Sequence, residues 1–123
     1  MAGWQRWWPA LAWWLCSVWL LLLKPAGESS GIPYFDKLGH FALFLLGGWL
    51  LACPGWRAGQ QPAAVWRLSL ALCLLWALGS ELAQGLFTAT RSAEAGDALA
   101  DMLGAVVCIH LAYRAIAWRR PRV

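Results

Sequence analysis

The stretch VWRLSLALCLLWALGSELAQGLF, residues 65–87, decides the fold. Its only charges are Arg67 near one end and Glu81 near the other, and everything between them is apolar or small. At 1.5 Å per residue, such a run is long enough to cross the roughly 30 Å hydrocarbon core of a bilayer as one α-helix. Working outward, three further apolar runs flank it, at about residues 7–23, 37–53 and 97–118. Turn formers separate them. Lys24-Pro25 and the cluster Gly27-Glu28-Ser29-Ser30-Gly31-Ile32-Pro33 close the first run, Pro54-Gly55 stops the second, and the polar residues 57–62 precede the third. Residues 88–94 read as a loop, and Pro121 forbids helix beyond the fourth run.

Composition agrees. Of 123 residues, 61% are hydrophobic and only 13% charged, against roughly 25% charged in a typical soluble domain. Four spans of about 20 residues consume most of this length. The expectation is therefore an all-α membrane protein, a four-helix transmembrane bundle with short loops. It forms one domain over residues 1–123, with no separate soluble domain. The first run is longer than the roughly 7 to 15 residues of a signal-peptide core and ends at Lys24-Pro25 without a clear A-x-A site, so it is read as a retained span. The cysteines Cys16, Cys53, Cys73 and Cys108 fall one per apolar run with no CxxC pair, and are read as packing residues rather than disulfides or zinc ligands.

The formal charge of +4 does not indicate nucleic acid, because the arginines are scattered between spans or gathered at the C-terminus. They fit the positive-inside rule. With a cytoplasmic N-terminus, that side holds Arg6, Arg57, Arg67, Arg114, Arg119, Arg120 and Arg122, and the other holds only Lys24, Lys37 and Arg91. Both termini are expected inside. Trp4, Trp7, Trp8, Trp56, Trp66 and Trp118 fall at the same boundary, where an indole ring can sit in lipid with its N–H in water.

The six acids, Glu28, Asp36, Glu81, Glu94, Asp97 and Asp101, all fall on the opposite side, in loops or helix ends. Glu28 and Glu94 read as ordinary loop acids. Others lie deeper: Glu81 about 9 Å inside the end of the third helix, Asp101 about 6 Å and His40 about 5 Å inside the starts of the fourth and second. Ionisable groups at such depth are costly unless they face protein or water, which makes each a candidate functional residue. Asp36 and His40, Glu81 and Gln84, and Asp97 and Asp101 are spaced three or four apart, so each pair shares a helix face. Gly47 and Gly48, Gly79 and Ala83, and the ridge Ala100, Gly104 and Cys108 would let the helices approach closely. His110, deep in the last span, is read as a hydrogen-bonded packing residue, and Arg114 as snorkelling to the headgroups.

The motifs Asp36-Lys37-x-x-His40, Glu81-x-x-Gln84, and Arg91 followed by Asp97-x-x-x-Asp101-x-x-Gly104 resemble the VanZ-like family over about residues 34–107. The chain departs from many relatives in carrying Asp101 where they have Asn, which adds a negative charge. The resemblance implies a multi-pass protein of the bacterial cytoplasmic (inner) membrane. Through the family's founding member, associated with low-level teicoplanin resistance, it implies a cell-envelope role.

The candidate functional cluster is thus Asp36, Lys37, His40, Glu81, Gln84, Arg91, Asp97 and Asp101. The leading reading is a non-enzymatic site at the outer ends of helices 2–4, binding an envelope or lipid component. Lys37 and Arg91 would take phosphate or carboxylate, and the acids an amine or a cation. Besides a purely structural salt-bridge network, two alternatives stay open. One is a proton-coupled small transporter; the other is catalysis, with His40 a general base oriented by Asp36, or a metal held by His40, Glu81 and Asp97. The leading reading calls for no cofactor and no metal, and its partners are the bilayer and an envelope or lipid-linked ligand. No Ser or Cys sits in a nucleophile motif, and oligomeric state leaves no signal in the sequence.

Overall fold

The computed structural model describes residues 3–24, 31–32, 34–89 and 93–119, with side chains as far as residue 115. Among these residues every regular element is a helix: α1 (Gly3–Leu23), α2 (Phe35–Arg57), α3 (Pro62–Phe87) and α4 (Ala95–Arg119). All four are long and apolar enough to cross a membrane, the pattern of a multi-pass membrane protein. They alternate up and down. The starts of α2 and α4 meet the ends of α1 and α3 at what we call the acidic end; Arg57, Arg67 and Arg114 mark the opposite, basic end.

The boundaries depart from the sequence reading most clearly in α2. Pro54-Gly55 does not stop it; the helix runs on to Arg57. Proline lacks one N–H, but the last turn closes around it, with the Ala58 N–H donating to the Pro54 carbonyl at 3.0 Å. The true stop is Gly59, at φ +74°. There the Gly59 N–H donates to Trp56 and the Gln60 N–H to Gly55, the paired bonds of a Schellman cap that a left-handed glycine permits. Gly55 serves packing instead, since a Cβ there would come within 2.7 Å of Val65 on α3. Helix α3 begins at Pro62, three residues earlier than the apolar run suggests, because proline at the first helical position loses no hydrogen bond. Helix α1 opens as 3₁₀ (Gly3–Trp7) and closes as a π-turn (Trp19–Leu23).

The tightest seam joins α2 to α4. Gly48 packs on the backbone of Ala105, and any side chain at Gly104 would collide with the Phe41 carbonyl. Gly47 serves α1, since a Cβ there would collide with the indole of Trp13, whose Nε1–H donates to the Leu43 carbonyl at 2.9 Å. Trp13, Leu21, Phe44, Cys73, Ala77 and Ala105 form the core around these contacts. Gly79 differs from its expected role: it faces open space on the outer surface of α3 and brings no helix close. The cysteines are unbridged, and only Cys73 is fully buried.

Candidate functional site

The seam explains why His40 and Asp101 meet. Phe41 follows His40 directly and Gly104 lies one turn beyond Asp101, so backbone contact at Gly104 presses the two polar residues together. His40 Nδ1 lies 2.7 Å from Asp101 Oδ1, and both residues are buried, Asp101 completely. The other ring nitrogen, Nε2, faces Asp97 Oδ2 at 3.6 Å. Glu81 enters from α3, with Oε1 at 4.0 Å from Nδ1. Two helices, α3 and α4, therefore surround the imidazole of α2 with three carboxyl groups.

Each carboxyl is placed by its own helix. Asp97 lies in the first turn of α4, where the helix dipole favours negative charge. Asp101 follows one turn later on the same face. Glu81 is buried, and its Oε2 accepts the Glu94 backbone N–H at 3.0 Å, which ties α3 to the start of α4. Glu81 Oε1 and Asp101 Oδ2 are buried with no hydrogen-bond partner among the described residues. Polar atoms in that condition are uncommon and call for an explanation.

Nearer the surface, Lys37 gathers a second set. Its Nζ lies 2.9 Å from Glu94, 3.2 Å from Asp97 and 3.5 Å from Asp36. Asp97 therefore joins two layers, one oxygen on Lys37 and the other towards His40. His40, Glu81 and Asp97 can each offer one ligand atom within 4.8 Å of the others, as can Asp36, Glu94 and Asp97.

Of the expected cluster, His40, Glu81, Asp97 and Asp101 converge, with Lys37 above them. Asp36 is exposed, and Asp101 rather than Asp36 orients His40; despite its i,i+4 spacing from His40, Asp36 pairs with its chain neighbour Lys37 instead. Gln84 is buried but turned to another task, donating from Nε2 to the Leu21 carbonyl at 2.9 Å. It thus caps the last turn of α1, whose terminal carbonyls have no partner within their own helix. Arg91 lies outside the described residues. Glu94, read as an ordinary loop acid, belongs to the site through both its side chain and its N–H. Its spacing of three from Asp97 was the available signal. Ser80 donates to the Ala77 carbonyl and is fully buried, so its hydroxyl is engaged.

The basic end is built differently. His110 is not a packing residue but exposed, on a groove of about 310 Å³ shared with Trp66, Arg67, Tyr113 and Arg114. A larger apolar cleft, about 560 Å³, opens beside Trp7, Trp14 and Trp76. Neither contains any residue of the acidic cluster.

No protein family, curated protein or solved structure matches the chain in comparisons with all three.

Proposed function

We propose that this chain is a VanZ-like multi-pass protein of the bacterial cytoplasmic membrane whose acidic end binds a polar group of a cell-envelope or lipid component. The observation that carries this reading is the convergence of His40, Glu81, Asp97 and Asp101 from three helices, with His40 and Asp101 at 2.7 Å. Burying several ionisable groups together near the end of an apolar bundle costs stability, and such groups in membrane segments mark ligand or ion sites. The balance of charge sharpens the chemistry. Lys37 is already engaged by Asp36, Glu94 and Asp97, so it is not free to take phosphate, and the acids outnumber the cations. The complementary ligand group is positive: a cation or an amine. The outer leaflet is the side reached, with both termini cytoplasmic, in keeping with the seven-to-three distribution of Lys and Arg.

Two measurements test this. Native mass spectrometry of the detergent-solubilised protein should retain phosphatidylethanolamine, which carries a primary amine, over phosphatidylglycerol, which does not. Glu81→Gln and Asp97→Asn should fold normally and lose that preference. Equal retention of both lipids by the intact protein and by the variants would remove the support for a ligand site. A cytoplasm-active reporter fused after Val123 should be active; activity confined to the exterior would reverse the orientation.

A further inference from the structure

The two layers of acids differ in one respect. The outer set, Asp36, Glu94 and Asp97, encloses the ammonium group of Lys37. The inner set, His40, Glu81 and Asp97 with Asp101 behind, encloses no lysine or arginine among the described residues. As carboxylates, Glu81 and Asp101 exceed what a single imidazolium can balance, even when Asp97 is assigned wholly to Lys37. An uncompensated charge at that burial is costly.

The hydrogen bonds point the same way. A carboxylate accepts only, so Asp101 requires the proton of His40 on Nδ1. The lone pair of a neutral ring then lies on Nε2, 3.6 Å from Asp97 Oδ2: an acceptor facing an acceptor. Glu81 Oε1 is buried and unpartnered, 4.0 Å from the ring at Nδ1, and Glu81 belongs with His40 and Asp97 to a group whose donor atoms lie within 4.8 Å of one another. Something positive belongs between them.

We infer that His40, Glu81 and Asp97 form a site for a divalent transition-metal ion, with Asp101 orienting the imidazole. This rests on the reading of the acidic cluster as a ligand site and names the cation it takes. One imidazole and two carboxylates suit zinc, iron(II) or manganese rather than calcium, which takes oxygen ligands in larger number. Ligands of a tetrahedral ion with bonds near 2.1 Å lie about 3.4 Å apart, close to the Nε2 to Asp97 separation of 3.6 Å. An Asp–His pair behind the ligand nitrogen is the usual way to fix the tautomer and raise basicity. Three protein ligands leave a fourth position of a tetrahedral ion open.

The test uses the full-length, tag-free chain in detergent with Zn²⁺, and with Co²⁺ as a spectroscopic probe. One equivalent of Zn²⁺ should bind, and Co²⁺ should give the intense visible bands of a low-coordinate site. His40→Gln and Glu81→Gln should abolish binding. Asp101→Asn should weaken it about 10- to 100-fold, the usual effect of removing a partner behind a ligand histidine. Glu94→Gln, in the outer layer, should leave it within about threefold. Circular dichroism and gel filtration would establish that each variant is folded. Absence of Zn²⁺ and Co²⁺ binding by the folded intact protein, or binding indifferent to His40→Gln, would overturn the metal site. If phosphatidylethanolamine is still preferred in that case, the metal fails alone; if that preference is missing too, the ligand site fails with it.

Discussion

The chain has two histidines, and they stand in opposite surroundings. His40 is buried at the acidic end, 2.7 Å from one carboxyl group and within 4.0 Å of two more. His110 is exposed at the basic end, on a groove it shares with Arg67 and Arg114. Both occur singly in apolar helices, and local composition hardly separates them. What separates them is the seam beside each. Around His40 two glycine-lined helices touch backbone to backbone, and charge is enclosed; around His110 the charged side chains are exposed. Enclosed charge is costly, whereas exposed charge is cheap.

The largest effect should come from breaking the enclosure. Gly104→Leu drives a side chain into the Phe41 carbonyl, and backbone can yield only by separating α2 from α4. Overpacking of this kind costs typically 1–3 kcal/mol, and more where backbone is struck. Little folded protein is expected by gel filtration, while Gly79→Leu, facing open space, should be recovered normally. Loss of both variants alike would show that the seam is not special.

Ligand linkage comes next. Zn²⁺ at 100 times its dissociation constant should stabilise the folded chain by about 2.7 kcal/mol in thermal unfolding. His110→Ala should leave that gain intact, and His40→Gln should remove it. A gain lost on changing His110 would move the metal to the other end.

Gln84→Ala should cost about 1–2 kcal/mol by leaving the Leu21 carbonyl without its donor. The loss should appear as faster hydrogen exchange confined to the last turn of α1, not at α4. Smallest of all, Arg114→Ala and His110→Ala should change thermal stability by less than about 0.5 kcal/mol, as exposed positions generally do.

The four helices were legible because hydropathy over about twenty residues is a strong signal that no local feature overrides. Their ends were less so. Pro54 reads as a terminator in any helix, yet Gly59 ends α2, because a left-handed cap needs glycine one residue past the C-cap, here Ala58, while proline is tolerated in a last turn. Spacing on one helix identified which acids share a face. It could not say which helix each face meets: Asp36 lies four residues before His40, but the seam at Gly104 delivers Asp101 to the imidazole instead. Gln84 shows the same limit. It shares a face with Glu81, and a carbonyl from α1, set by the packing of a different helix, claims it. Glu94 was read as a loop acid because its connection to Glu81 runs through backbone, which composition does not reveal.

If the acidic cluster is a binding site, its residues are arranged for a ligand and not for the stability of the empty protein. The most direct test is the unfolding free energy of metal-free Glu81→Gln compared with metal-free wild type, in the same detergent. The amide keeps the acceptor for the Glu94 N–H and removes one buried negative charge. A ligand site predicts a variant as stable as wild type or more so. A loss of about 3–5 kcal/mol, the usual consequence of breaking a buried ion-pair network, would make the cluster a structural clamp and contradict the binding role.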